Sequence, residues 1–485
     1  MLLLVFFQPK PPSVKTHYRI VKVHGGFPPE IALYTYKNID HCIDQTYRIY
    51  EDVFFPGIPH TGNSGKNRNG FIPGCIQHAI QKSFPDRAHR GQKSIHYLTT
   101  RNLIFAQIGK HMKIAVLGAG MVGRAMALDL AGNHEVSVYD QSEQNLALLR
   151  NKNGQILTIQ ADLKDQSQFK NWFKDADLVL VAVPGFMGFS TLKAVIETGK
   201  NIVDISFFPE NALELDALAK QHNVTVITDC GVAPGMSNYI IGRYNEEMTI
   251  DAFEIYVGGL PKNRKKPFEY KAPFSPIDVL EEYTRPARIM ENGHIVVKPA
   301  LTELEWMHFD ELGTLESFNT DGLRSLLFTM PHIKNQKEKT LRYPGHVNLI
   351  IALKESGFLS ETPVMVDGQK IVPLHFSSRI LFNEWKLGEE EEELTIMRVI
   401  LHGRKQGEAE RVEYNMLDRY DPATKMSSMS SSTGFTATAT VNMMAEGLFT
   451  EKGVFPPELV GKYKACFDYV IAYLGSRGVM WKLES

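Results

Sequence analysis

The stretch from Lys113 to Asp140, KIAVLGAGMVGRAMALDLAGNHEVSVYD, limits the possible folds of this chain more than any other. Lys113 to Leu117 is a short apolar run suited to a buried parallel strand. Gly118, Gly120 and Gly123 follow as G-x-G-x-x-G. The first permits a tight turn, the second lets a pyrophosphate approach the backbone, and the third lets a helix pack on the strand. Phosphates would rest on the free N–H groups and positive dipole end of that helix, which places Met121 and Val122 with the cofactor-binding residues. Val136 to Tyr139 reads as the next strand and ends in Asp140, about 20 residues past the middle glycine, where a carboxylate can accept hydrogen bonds from an adenosine ribose diol. An anion there repels a 2′-phosphate, so NAD is expected over NADP.

The rest of the composition is that of a soluble globular protein. Among 485 residues, 43% are hydrophobic and 22% charged, enough for two or three domains with proper cores. A net charge of −2 gives no general attraction to nucleic acid or an anionic membrane. Cys42, Cys75, Cys230 and Cys466 form no CxxC pair, which argues against a disulfide framework or a zinc site and suits a reducing cytoplasm. No apolar run approaches the roughly 20 residues that span a bilayer. Met1 to Phe7 is apolar but lacks a preceding basic region and is too short for a signal segment. A cytoplasmic location without membrane or nucleic-acid partners is expected.

Residues 1–111 differ in texture. They hold 14 Lys and Arg against 6 Asp and Glu, and half of the 16 histidines of the chain. No sustained helical or alternating period runs through them, and turn formers cluster at HTGNSGKNRNG (60–70). Met112 directly precedes the first strand. The segment is therefore expected to be an extension from a start placed too early, with a disordered arm or a small folded domain as alternatives.

Past Asp140, the segment 141–150 reads as a helix and 155–160 as a third strand ending near Asp162, which could reach an adenine amino group. The run 176–183 is a fully buried strand, with Pro184 and Gly185 turning beneath the nicotinamide half. Strands at 201–206 and 224–229 follow, with a helix at 211–220 between them. Such alternation predicts an α/β fold with a Rossmann-type, doubly wound parallel sheet over 112–240, in which ligands gather at strand C-termini. Asp162, Pro184, Ser206 and Asp229 then fall on the functional edge. Beyond about residue 245 hairpins dominate: IMENGHIVV (289–297) has an Asn-Gly turn, VMVDGQKIV (364–372) an Asp-Gly turn, and 395–403 pairs with 411–418. This predicts a second, α+β substrate domain over 241–420 with a largely antiparallel sheet. The acidic run 389–393 is expected to be a solvated turn before an edge strand rather than a metal site. A helix rich in small residues at 433–449 is expected to return to the first domain as part of 421–485.

Five segments, AVLGAGMVG (115–123), TDCGVAPGMSN (228–238), YVGGLP (256–261), ESFNTDGLRSLL (316–327) and TLRYPGH (340–346), resemble the saccharopine dehydrogenase-like family in family order. That family includes glutamate-forming saccharopine reductases and L-lysine 6-dehydrogenases. The resemblance implies amine dehydrogenation, which needs a nicotinamide, a proton acceptor and a clamp for an amino-acid carboxylate. Arg342 is the first choice for that clamp, with Arg324 as alternative. Asp229 and His346 are candidates for the base. Asn238, Asn319 and Thr320 could hold the amino or carboxylate group, or could cap helices.

Three departures from the reductase pattern bear on the substrate. Ala233 stands where reductases carry the aspartate of L-D-P-G, Val257 where they carry the cysteine of Y-C-G-G-L-P, and Thr320 where they carry the arginine of P-N-R-D. Saccharopine has three carboxylates and lysine one, so losing a cationic anchor favours the smaller substrate. With the NAD preference, the expectation is an L-lysine 6-dehydrogenase. A saccharopine or other carboxyamine dehydrogenase, or an NAD-sensing protein without turnover, are the alternatives. A homodimer is expected on the resemblance alone.

Overall fold

A computed structural model describes residues 110–484 apart from 274, 275 and 389. Nearly all of the expected N-terminal extension lies outside the described residues.

The first sheet is built by strands β1 (Lys113–Leu117), β2 (Glu135–Asp140), β3 (Leu157–Gln160), β4 (Leu178–Val181), β5 (Asn201–Asp204) and β6 (Thr225–Ile227). All pair in parallel in the order β6-β5-β4-β1-β2-β3, so the order reverses beside β1. This is an α/β Rossmann-type sheet. Its central strands are apolar on both faces because helices cover both: Ile114, Val116, Leu178 and Leu180 pack into one core, and Ala115, Leu117, Val179 and Val181 into the other. Helix α1 (Met121–Leu130) follows β1, and α2 (Met236–Asn245) follows the loop after β6.

The second sheet has nine strands. Strand β7 (Thr249–Pro261) is central, and the order β10-β11-β12-β7-β15-β16-β18 places it between β12 (Asn335–Arg342) and β15 (Glu393–Lys405). The others on this path are β10 (Glu305–Phe309), β11 (Gly313–Asn319), β16 (Glu408–Arg419) and β18 (Trp481–Glu484). Only β7 with β12 is parallel along it, so the sheet is mixed and largely antiparallel. The hairpin β8 (Ala287–Glu291) and β9 (His294–Lys298) turns at Asn292 and Gly293, both with positive φ, and hangs from β12. A separate hairpin, β13 (Val364–Val366) and β14 (Gln369–Ile371), turns at Asp367 and Gly368. The β15–β16 turn is tighter than the sequence implied: pairing runs to Lys405 and Glu408 across Gln406 and Gly407, both left-handed.

Helix α3 (Ser428–Ala445) lies against α1, where Gly434 admits the Met126 side chain. Strand β17 (Gly453–Phe455) then adds to the first sheet beside β6, a contribution three residues long that periodicity could not reveal. The acidic run also differs from expectation. Glu393 is buried at the start of an interior strand, where it accepts hydrogen bonds from the backbone N–H and, at 2.6 Å, the hydroxyl of Ser428. Burial raises its carboxyl to about 7. No helix among the described residues is long and apolar enough to cross a membrane.

Candidate active-site cleft

One cavity of about 610 Å³ runs from the first glycine loop to the floor of the second sheet. At one end lie Gly118, Gly120, Met121, Val122, Gly123 and Asp140, with Asp162 and Pro184 further along. The glycines are needed for distinct reasons. Gly118 has φ +105°, and a Cβ there would meet the Ala182 carbonyl oxygen at 2.3 Å; at Gly123 it would meet the Gly118 oxygen at 2.1 Å. Gly120 has open space around it, as an approaching phosphate requires. It caps a ten-residue helix with no acidic side chain in its first turn. The Asp140 carboxylate accepts from the backbone N–H of Ala119 at 2.6 Å and of Ser142 at 2.7 Å, so β2 and the glycine loop hold it at the cavity wall. These groups fit an adenine dinucleotide. Ser206 is buried next to the lining residues Ile205 and Phe207 and does not itself line the cavity.

The other end is lined by Ala233 and Pro234, by Val257 to Gly259 of β7, by Thr320 and Asp321 after β11, and by Glu338, Thr340 and Arg342 of β12. The parallel register aligns Thr340 with Val257, so alternate residues of the two strands share one face. Ala233, Val257 and Thr320, the three departures from the reductase pattern, therefore meet in a single cavity.

The arginines on or beside this end are already engaged. Arg342 is buried and pairs through Nη2 with Glu282 Oε2 at 2.6 Å, with Nε on the Tyr283 hydroxyl at 3.2 Å and Nη1 on the Leu341 carbonyl at 2.9 Å. Tyr270 stacks beneath it at 4.5 Å. Arg285 pairs with Glu281 and Arg324 with Asp229, while Arg288 grips both oxygens of Asp321 at 2.9 and 2.7 Å. Glu338 is the exception. Only 4% exposed, it accepts from the Thr320 hydroxyl at 2.5 Å, and no ion pair to it exists among the described residues. Burial, reinforced by the carboxylates of Glu282 and Asp321, pushes its carboxyl up to about 8. Nothing in the strand-like NQKEKTLR marks Glu338 beforehand except an acid on the inward register.

The remaining sequence candidates divide. Asp229 lines the cavity in a left-handed conformation (φ 57°), with Oδ1 2.9 Å from Arg324 Nε; burial raises its carboxyl against the pull of that arginine. His346 is not on the cavity wall. Its Nε2 meets the Tyr283 hydroxyl at 3.0 Å, its Nδ1 faces the Phe268 carbonyl at 3.0 Å, and burial followed by the nearby Arg342 charge lowers it to about 3. Asn238 accepts from the Gly235 N–H and donates to Glu458 at 2.9 Å, closing the α2 turn. Asn319 donates to Glu303 at 2.9 Å. Arg324 precedes a short helix rather than lying in one, and its Nη1 donates to the Phe208 carbonyl.

Comparison with known proteins agrees with this architecture. Residues 114–227 match the Saccharopine dehydrogenase NADP binding domain, and residues 231–479 the Saccharopine dehydrogenase C-terminal domain. Alpha-aminoadipic semialdehyde synthase of Mus musculus is 26% identical over 53% of this chain and 29% of its own length. The NADP(+), L-glutamate-forming saccharopine dehydrogenase of Pyricularia oryzae is 27% identical over 42% of this chain and 48% of its own. These matches span half or less of those curated relatives. Carboxyaminopropylagmatine dehydrogenase of Synechocystis is 23% identical over 76% of this chain and 96% of its own length. The apo saccharopine dehydrogenase (L-Glu forming) of Saccharomyces cerevisiae superposes with a TM-score of 0.63 at 19% identity, covering 77% of this chain and all of that one. The chain belongs to the saccharopine dehydrogenase family.

Proposed function

We propose that this protein is an NAD-dependent amine dehydrogenase that oxidises the side-chain amine of L-lysine. The observation that carries the reading is Glu338, a buried carboxylate on the cavity wall without a cation, in a site whose arginines are each held by an acid. A substrate with three carboxylates would need those arginines free. A cationic amine instead lets Glu338 give up the proton that burial keeps on it, since a buried carboxylate is stable only when paired.

When bound, the oxidised nicotinamide supplies the acceptor for the hydride on the amine-bearing carbon. The residues of the chain prepare that carbon. Asp229 takes one proton from the ammonium, so that the nitrogen lone pair can form the C=N bond. Glu338, held by Thr320, steadies the cationic end. Water then adds to the iminium carbon, ammonium leaves, and the aldehyde cyclises with the α-amino group. Per turnover the protonated side-chain amine and one water become aldehyde and a free ammonium ion, and one proton is left over beside the reduced cofactor. Asp140 favours NAD, and the segment Gln141–Asn145 beside it carries no basic side chain for a 2′-phosphate.

A second reading has its own support: the Synechocystis relative, matched over 96% of its own length, is a carboxyaminopropylagmatine dehydrogenase. Turnover assays with lysine, saccharopine and carboxyaminopropylagmatine separate these readings. Reduction of NAD with lysine alone supports the first, with carboxyaminopropylagmatine alone the second, and with saccharopine alone neither.

A further inference from the structure

A second cavity of about 10 Å³ also reaches Asp229, sharing no other lining residue with the main cleft. Its walls include Glu210, Thr228, Asp229, Arg324 and Ser325, and Asp229 is shared with the main cavity. That volume is about what a single water occupies. The Thr228 hydroxyl is buried, with the residue 1% exposed, and has no hydrogen-bond partner among the described residues. A buried hydroxyl without a partner signals an ordered water, provided polar groups surround the space. Here they do, and Glu210 on the same wall is exposed.

We propose that Thr228 positions a water against Asp229, and that this water passes the proton released by amine oxidation from the cleft toward solvent at Glu210. The proposal rests on the amine-dehydrogenase reading. One proton per turnover is left on Asp229 when the ammonium is deprotonated, and the water admitted to the cleft is consumed at the iminium carbon, which leaves that proton to be carried away by another path. The O–H of protonated Asp229 breaks toward the water oxygen, the water gives up another proton on its far side, and the carboxylate is restored. Thr228 touches neither substrate nor cofactor, so it is a positioning residue.

The test compares the full-length protein with Thr228→Val, which keeps the shape but removes the hydroxyl, and Thr228→Ser, which restores it. Proton release is followed with an indicator dye in a single turnover, beside reduction of the nicotinamide. Thr228→Val should slow kcat by about tenfold or more, within the range for a lost proton relay, and should change the solvent isotope effect. The affinity for NAD should stay as it is, and Thr228→Ser should recover the rate. Wild-type kcat and isotope effect in Thr228→Val would overturn the relay. If Thr228→Val does not fold, Ser325→Ala, whose hydroxyl lines the same cavity, is read in the same way. A high-resolution crystal structure gives an answer that does not depend on which amine is oxidised: a water bonded to the Thr228 hydroxyl and Asp229 is expected, and an empty cavity overturns the proposal even if no amine is turned over.

Discussion

Arg342 and Glu282 meet across the cavity wall, Nη2 to Oε2 at 2.6 Å, with the arginine side chain 3% exposed. The guanidinium most suited by sequence to clamp a carboxylate is thus occupied by one from the protein itself. Tyr270, Tyr283 and the Leu341 carbonyl complete its surroundings. Arg342→Ala should destabilise the fold by roughly 2–4 kcal/mol, because it leaves the partly buried Glu282 without its cation and removes a fully buried side chain. Urea unfolding checks this. Unchanged stability with a raised KM for the amine would return Arg342 to the role of substrate clamp.

Glu338→Gln should raise KM for lysine by about tenfold or more, the loss of one charge-assisted bond of roughly 1.5–3 kcal/mol, and leave the Kd for NAD unchanged. Titration calorimetry with each ligand separates the two. Equal losses would mean a collapsed cleft rather than a lost cation partner.

The same residue sets a pH dependence. Burial, reinforced by the carboxylates of Glu282 and Asp321, keeps Glu338 protonated up to about 8, while Arg342 is already paired with Glu282. A cationic amine prefers the ionised form, so amine affinity should rise with pH toward about 8 and then level. A fall over that interval in binding measurements would contradict the assignment.

Stability should move the other way. Buried Asp204 and Glu393 reach about 7 and Glu338 about 8, all above their unfolded values. The folded chain retains these protons where the unfolded chain has lost them, so stability is full below the unfolded pKa values and falls as pH rises through the folded ones. His134 and His346 are lowered, so their stabilising effect is complete above about 6.5. The urea midpoint of the free protein should therefore drop between pH 6.5 and 8. A rise would show that these carboxyls ionise freely.

Asp140→Ala should weaken NAD binding by roughly tenfold or more while affecting NADP less, since only the unmodified ribose uses the carboxylate. Equilibrium binding of both dinucleotides tests it. Damage to the glycine loop through the lost Ala119 and Ser142 contacts would weaken both equally.

The parallel sheet was legible because glycine spacing, uninterrupted apolar strands and a terminal acid are local signals. The substrate end was only partly so. Ala233, Val257 and Thr320 stood out against a family pattern, and the structure gathers them in one cavity. Glu338 carried no such mark, since its meaning depends on which arginines are paired, and that is decided by residues 56 positions away in the case of Glu282 and closer for Asp321. His346 and Asn238 show a related limit: a polar residue beside a glycine turn can be a ligand, a cap or a core group, and only its neighbours decide between these. Here those neighbours are Tyr283 and Phe268 for the histidine, and Gly235 and Glu458 for the asparagine.

The most direct test of the central claim is turnover by the purified chain offered lysine or saccharopine with NAD or NADP, followed by the absorbance of the reduced nicotinamide. Reduction of NAD with lysine and none with saccharopine is expected. Reduction with saccharopine and NADP, and none with lysine, would contradict it.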